Sequence, residues 1–168
     1  MVTTYRGREG EAAREVRAHL TRLGDASPRT RLTEVTGLVL GSTSLDAVEA
    51  SRGLASLASS EPWSVRLVLR FVPIQAECRA EASEIANSCS GLVSGIAPEE
   101  SFRVTVEARH SSVEKDGLIR KIASLCGSKV DLEDPAKVVL VEIVGPWAGI
   151  SVLKPEDVFS AVRTKRGF

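Results

Sequence analysis

The sequence predicts a mixed α/β fold (α+β) built from two small domains. Apolar residues recur with a period of two in some segments and with helical spacing in others, which is typical of alternating strands and helices. This alternation runs through all 168 residues, a length that suits one or two domains. The composition, 43% hydrophobic and 26% charged, is that of an ordinary globular protein. No stretch is long and apolar enough for a membrane span, and none looks like a signal peptide.

The first half reads strand, helix, strand, strand, helix, strand. Residues 2–5 form a short strand, and a helix with inward-facing apolar residues follows and ends at Gly24. A hairpin over 31–40 comes next, and Asp46 begins a second helix as a capping residue. Alternating apolar residues predict a strand over 65–71. This βαββαβ order predicts a ferredoxin-like domain over residues 1–75.

The second half has its own set of elements. Apolar residues at helical spacing predict a helix over 82–93, and the alternation in 102–109 predicts a half-buried strand. A second helix spans 116–126. The continuous apolar run 138–144 suits an interior strand, and 149–153 forms one more short strand.

The end of the chain is predicted to be a short helix and a tail. Lys154 to Phe159 has Pro155 in its first turn, as helix starts often do. The predicted limits are therefore 76–160 for the second domain and 161–168 for a basic, mobile tail.

Short motifs in the second half resemble those of the THUMP domain over roughly residues 65–160. They lie in the order and at the spacing of that family. The motifs are Arg70-Phe71-Val72-Pro73-Ile74-Gln75 followed by Cys78, then Phe102-Arg103-Val104, Val130-Asp131-Leu132 with Pro135, Val139-Leu140-Val141-Glu142, and Gly149-Ile150-Ser151-Val152. The variant with Cys78 and the Gly-Ile-Ser-Val ending resembles stand-alone THUMP proteins that assist tRNA cytidine acetylation.

The resemblance implies a tRNA-binding adaptor rather than an enzyme. We expect it to bind the acceptor arm or the 3′ end of tRNA. A separate tRNA cytidine acetyltransferase would supply the catalysis that forms N4-acetylcytidine. Larger THUMP enzymes carry a catalytic domain, and this chain is expected to end without one. Two alternatives stay open: a protein-interaction module without RNA contact, and an RNA-modification enzyme whose site is not recognisable.

Eight residues are the predicted RNA contacts. Arg109, His110 and Lys115 lie at a strand-to-helix junction, where backbone amides at a helix start favour phosphate. The alternative for these three residues is a solvated loop. For Arg120 and Lys121 it is ordinary solvated surface. For Arg103 it is an ion pair with Glu107, and for Arg70 and Arg79 it is a structural ion pair. Trp147 is interpreted as packing in a turn, with base stacking as the alternative. The eight residues are Arg70, Arg79, Arg103, Arg109, His110, Lys115, Arg120 and Lys121.

Other chemistry has little support in the sequence. Three scattered cysteines, Cys78, Cys89 and Cys126, argue against a disulfide framework and against a structural zinc site. No glycine-rich nucleotide loop is present, so we expect no cofactor and no metal. The net charge is zero, although 16 of the 22 basic residues are Arg, which favours phosphate. We expect a cytoplasmic protein, and the sequence leaves its oligomeric state open.

Overall fold

The computed structural model describes residues 1–166, and only the backbone of residues 164–166. These residues form nine strands, five α-helices and one 3-10 helix. They divide into two compact units, Met1–Pro73 with the chain from Asp157 onward, and Ile74–Glu156. The prediction of a mixed α/β fold is confirmed.

The first unit contains a ferredoxin-like sheet. Its elements are β1 (Val2–Thr3), α1 (Glu9–Arg22), β2 (Arg29–Leu32), β3 (Leu38–Ser42), α2 (Ala47–Ser60) and β4 (Arg70–Phe71). The strands lie in the order β2-β3-β1-β4, and every neighbouring pair is antiparallel. This arrangement follows from the βαββαβ order of the sequence.

Both helices of this unit cover the same core. Val16 and Leu20 of α1 pack with Leu54 of α2 around Val39 and Phe71 of the sheet. Asp46 caps α2 as predicted, because its carboxylate accepts hydrogen bonds from the N–H groups of Val48 and Glu49, both at 2.9 Å.

The predicted strand over 65–71 is wrong in extent, since only Arg70 and Phe71 join the sheet. The carboxylate of Glu15 on α1 accepts hydrogen bonds from the N–H groups of Arg66, Leu67 and Val68, at 2.9–3.1 Å for the shortest contact of each. These backbone donors are therefore bound to a side chain rather than to a neighbouring strand.

The second unit is a four-stranded sheet with two helices. Its elements are β5 (Ala76–Arg79), α3 (Ala82–Val93), β6 (Phe102–Arg109), α4 (Lys115–Ala123), β7 (Lys137–Val144) and β8 (Trp147–Leu153). The strand order is β5-β8-β7-β6; β6 and β7 are parallel, and the other pairs are antiparallel. β5 is a strand that the sequence did not predict as one.

The core of the second unit lies between the helices and one face of this sheet. Ile85 of α3 and Ile122 of α4 are both fully buried in a cluster with Val139 and Val141 of β7. Cys89 belongs to the same cluster, and burial raises the pKa of its thiol to about 12. Cys89 is therefore a small apolar residue of this core rather than a reactive thiol.

The C-terminal segment returns to the first unit, so the predicted limits are wrong there. A 3-10 helix (Pro155–Asp157) leads into β9 (Phe159–Ser160), which pairs with β4 at the edge of the first sheet, and then into α5 (Ala161–Arg166). Phe159 is buried in the first core, and Asp157 forms an ion pair with Arg52 at 2.8 Å. Residues 167–168 of the predicted tail lie outside the described residues.

Candidate nucleic-acid interface

One end of the sheet in the second unit gathers three of the predicted contacts. β6 and β7 are parallel, so their carboxyl ends meet there, and the Gly145 N–H donates to the Arg109 carbonyl at 2.9 Å. The Ala80 N–H donates to the Pro146 carbonyl at 2.9 Å, which brings the end of β5 to the same place. This end of the sheet therefore contains Arg79, Arg109 and His110.

His110 has an unusual backbone at this end. Its φ of 53° is the one positive value of a non-glycine residue among the described residues. Such a conformation is uncommon outside glycine, although His adopts it more often than most residues. It turns the chain sharply out of β6 and leaves the imidazole exposed to solvent.

Arg109 forms an ion pair with Glu142 of β7. Its Nη1 donates to Oε2 of Glu142 at 2.6 Å, and the Glu142 side chain is completely buried. A buried carboxylate requires a cation or hydrogen-bond donors nearby. The alternative to RNA contact for Arg109 was a solvated loop, and the structure instead shows an ion pair, so the guanidinium is only partly available to RNA.

The start of α4 is already occupied, which contradicts the expectation of a phosphate site there. The Glu114 carboxylate accepts hydrogen bonds from the N–H groups of Asp116 at 2.8 Å and Gly117 at 2.6 Å. The amides that favour phosphate therefore bind a carboxylate of the chain itself. Lys115, the first residue of α4, is exposed beside this cap.

The other three predicted contacts of the second unit lie at the opposite end of the sheet. Arg103 is at the start of β6, and its Nη1 donates to the Leu132 carbonyl at 2.8 Å rather than to Glu107. α4 runs back toward that end, which places Arg120 and Lys121 there, exposed in its last turn. Cations at this position also complement the helix dipole, which is a structural role. The predicted residues therefore form two groups rather than one.

Arg70 is in the first unit, half-buried in β4 opposite Ser160 of β9.

Trp147 packs as predicted: its indole N–H donates to Glu77 at 2.8 Å. The ring lies over Gly149, where a Cβ atom would collide with it and with Ile74.

The two units differ in charge. The first unit has 13 Lys and Arg against 9 Asp and Glu, a formal charge of +4. The second has 9 against 13, a formal charge of −4. The neutral total of the chain therefore conceals a basic unit and an acidic one.

Most carboxylates of the first unit are engaged in internal contacts. Glu9 accepts from the Gly37 N–H at 2.7 Å, and Asp25 accepts from the Thr43 and Ser44 hydroxyls. Glu61 forms an ion pair with Arg22. Other carboxylates cap or pair in the same way, and Glu34 is the exception among the described residues.

Five exposed arginines of the first unit have no ion pair within the described part of the chain. They carry the excess positive charge that the sequence analysis missed. A count of charges in each predicted domain would have revealed this excess, because residues 1–73 include ten Arg and no Lys. The five are Arg6, Arg14, Arg29, Arg31 and Arg66.

No described helix is both long enough and apolar enough to cross a membrane. Among the described residues, no group of three or more His, Cys, Asp or Glu side chains is placed to hold a metal ion.

Comparison with known families identifies the second unit. Residues 79–153 match the family model of the THUMP domain. This segment is therefore a THUMP domain, a class of domain that binds RNA such as tRNA.

Curated relatives share this domain. The chain is 31% identical to the THUMP domain-containing protein 1 homolog of Drosophila melanogaster over 96 residues, 52% of this chain and 30% of the relative. It is 26% identical to THUMP domain-containing protein 1 of Bos taurus over 115 residues, 63% of this chain and 32% of the relative. The chain thus spans about a third of the length of these proteins.

Solved structures share the fold over most of the chain. PH1313 from Pyrococcus horikoshii Ot3 is similar over 91% of this chain and 53% of its own, with a TM-score of 0.70 and 16% identity. TrmN from Thermus thermophilus is similar over 90% of this chain and 43% of its own, with a TM-score of 0.60 and 18% identity.

Proposed function

We propose that this protein binds tRNA at the acceptor arm or the 3′ end and presents it to a separate tRNA cytidine acetyltransferase. The THUMP domain over residues 79–153 is the observation that carries the RNA-binding part of this proposal. The adaptor role rests on the resemblance of the sequence to stand-alone THUMP proteins that assist cytidine acetylation.

Positioning is the proposed mechanism. Arginines of the basic first unit contact phosphates, which fixes the register of the RNA without reading its sequence. The acidic second unit attracts phosphate less strongly as a whole, and it selects by local contacts to the shape of the RNA and its unpaired nucleotides. This division predicts that a limited number of phosphate contacts support binding, and that binding weakens as the salt concentration rises.

Within the second unit, the end of the sheet at His110 is the proposed RNA contact. His110 and Arg79 are exposed there, and Lys115 follows at the start of α4. Arg109 supports this surface, because its ion pair with Glu142 holds the end of β6 against β7. Arg103, Arg120 and Lys121 at the opposite end form a second proposed contact for the phosphate backbone, and Arg70 adds a cation to the first unit.

A reconstituted acetylation assay tests the adaptor role. Purified tRNA cytidine acetyltransferase is given its substrates and limiting tRNA, with and without this protein. The proposal predicts that the protein increases the rate of acetylcytidine formation and produces none alone. Product formed by the protein alone would support the enzyme alternative. An unchanged rate, with a partner that co-purifies after nuclease treatment, would support the protein-interaction alternative.

A further inference from the structure

Trp63 in the first unit is exposed to an unusual degree. It lies between α2 and β4, and 72% of its surface is accessible, the largest fraction among the described large hydrophobic residues. Tryptophan is normally well buried, since its ring is the largest apolar group in proteins. The packing of the first unit does not explain this position, because Trp63 is not part of the core cluster.

The backbone around Trp63 is fixed on both sides. The Ser64 N–H donates to the Glu61 carbonyl at 2.8 Å, and Glu61 is held by Arg22. The Ser64 carbonyl lies 3.0 Å from Nε2 of His19, a residue of α1 that is itself buried. On the far side, the Glu15 carboxylate binds the N–H groups of residues 66–68. The indole is therefore presented on an ordered segment, which reduces the entropy lost when it binds.

Charged residues flank Trp63 in the chain: Glu61, which is paired with Arg22, precedes it, and an arginine follows it. Arg66, three residues on, is exposed and has no ion pair within the described residues. The unit as a whole carries a formal charge of +4. An aromatic ring beside cations is the chemistry with which proteins bind unpaired nucleotides, since bases stack on the ring and phosphates pair with the cations.

We propose that Trp63 stacks on an unpaired base of the bound RNA, with Arg66 contacting an adjoining phosphate. This inference rests on the proposed function and adds an RNA contact outside the THUMP domain. It assigns the site to a single-stranded nucleotide rather than to a protein, because one exposed ring is too small an apolar area for a protein docking surface.

Tryptophan fluorescence tests the contact directly. The chain has two tryptophans, Trp63 and Trp147, so the Trp147→Phe variant reports on Trp63 alone. We expect an eight-nucleotide oligoadenylate and folded tRNA with its 3′ end to quench this emission. If Trp147→Phe does not fold, the difference in quenching between the native chain and Trp63→Phe gives the same information.

Affinity measurements complete the test. We expect Trp63→Ala to weaken binding of the oligonucleotide about tenfold, and Trp63→Phe to recover most of the loss. Leu32→Ala, at another exposed apolar residue of the same unit, is the matched control and should have no effect. tRNA that binds tightly without quenching Trp63, or an unchanged affinity of Trp63→Ala, overturns this inference while the proposed function stands. Absence of any tRNA binding by the native chain overturns both. Loss of a nuclease-resistant protein partner in Trp63→Ala, with RNA binding intact, assigns Trp63 to a protein contact instead.

Discussion

At the scale of single residues, Glu142 determines what Arg109 does. The run Val138–Val144 predicted an interior strand, and this is the one charged residue within it. Glu107 of β6 lies directly opposite Glu142, so the nearest cation on the same face is Arg109, two residues on. That partner depends on the register between two strands separated by a helix, which the sequence pattern does not reveal. Arg109 therefore looked like an RNA contact, although its position stabilises the fold.

Replacing Arg109 should therefore affect stability. We expect Arg109→Met to lower the free energy of unfolding by about 2 kcal/mol, because the buried Glu142 carboxylate loses a charged hydrogen-bond donor. Urea denaturation measures the change. Arg120→Ala, at an exposed arginine without an ion pair among the described residues, is the control and should change stability by less than about 0.5 kcal/mol. Equal stability of both variants would show that the ion pair contributes nothing.

Gly149 makes room for Trp147. A Cβ atom at this position would meet the indole and would lie 2.9 Å from Cδ1 of Ile74. We expect Gly149→Ala to destabilise the protein by about 1–3 kcal/mol through overpacking. Gly91→Ala, on the exposed surface of α3 with nothing within 4 Å, should instead stabilise it by up to about 1 kcal/mol. Thermal unfolding of the two variants distinguishes these effects, and a neutral Gly149→Ala would contradict the packing argument.

At the scale of elements, the helices were predictable from the spacing of their apolar residues, but the residues at which they begin and end were less so. Both helices of the second unit follow from their apolar stripes. The N-cap of α4 was not predictable, because Glu is not a preferred N-cap residue and two better candidates, Ser111 and Ser112, lie just before it. The length of β4 depends on Glu15, some fifty residues earlier in the chain. The local sequence pattern around β4 does not reveal this contact with a residue of α1.

The cap itself can be tested. We expect Glu114→Ala to lower the free energy of unfolding by about 1 kcal/mol, since the N–H groups of Asp116 and Gly117 lose their acceptor. Its affinity for tRNA at low salt should not fall, because a negative charge has been removed. Glu99→Ala, at an exposed carboxylate without a partner in the described part of the chain, should leave stability unchanged. A fall in affinity at native stability would place Glu114 in the RNA contact.

Asp25 joins the loops that follow α1 and β3, and this should make part of the stability depend on acid pH. Hydrogen bonds, first from the Thr43 hydroxyl and then from the Ser27 N–H and from Ser44, lower the pKa of the Asp25 carboxyl from 3.8 to about 2. The contribution of the ionised Asp25 carboxylate to the free energy of unfolding is therefore present above pH 3.8 and is lost as the pH falls toward 2. Urea midpoints should decline less between pH 4 and pH 2 in Asp25→Asn than in the native chain or in Glu34→Gln. Equal declines in all three would contradict this role.

At the scale of the whole molecule, the order of the strands and helices was predictable, but the way in which the end of the chain completes the first sheet was not. The βαββαβ order and the THUMP motifs could be recognised from the sequence. The return of residues 157–161 to the first unit could not, because β9 pairs with β4, nearly ninety residues away. The division of charge between the units was within reach, since it needs only a count for each half of the chain. It changes the view of the RNA interface, because the excess of cations lies in the first unit, outside the THUMP domain.

A titration of folded tRNA, with and without its unpaired 3′ end and at two salt concentrations, tests the central proposal most directly. The chain is compared with Arg29→Gln/Arg31→Gln in the first unit and with Arg120→Gln/Lys121→Gln in the second. We predict that binding requires the 3′ end and weakens with salt, and that the first pair of substitutions reduces affinity and the salt dependence more than the second. Binding that is insensitive to salt and to the 3′ end, or no binding at all, would contradict this account of the protein.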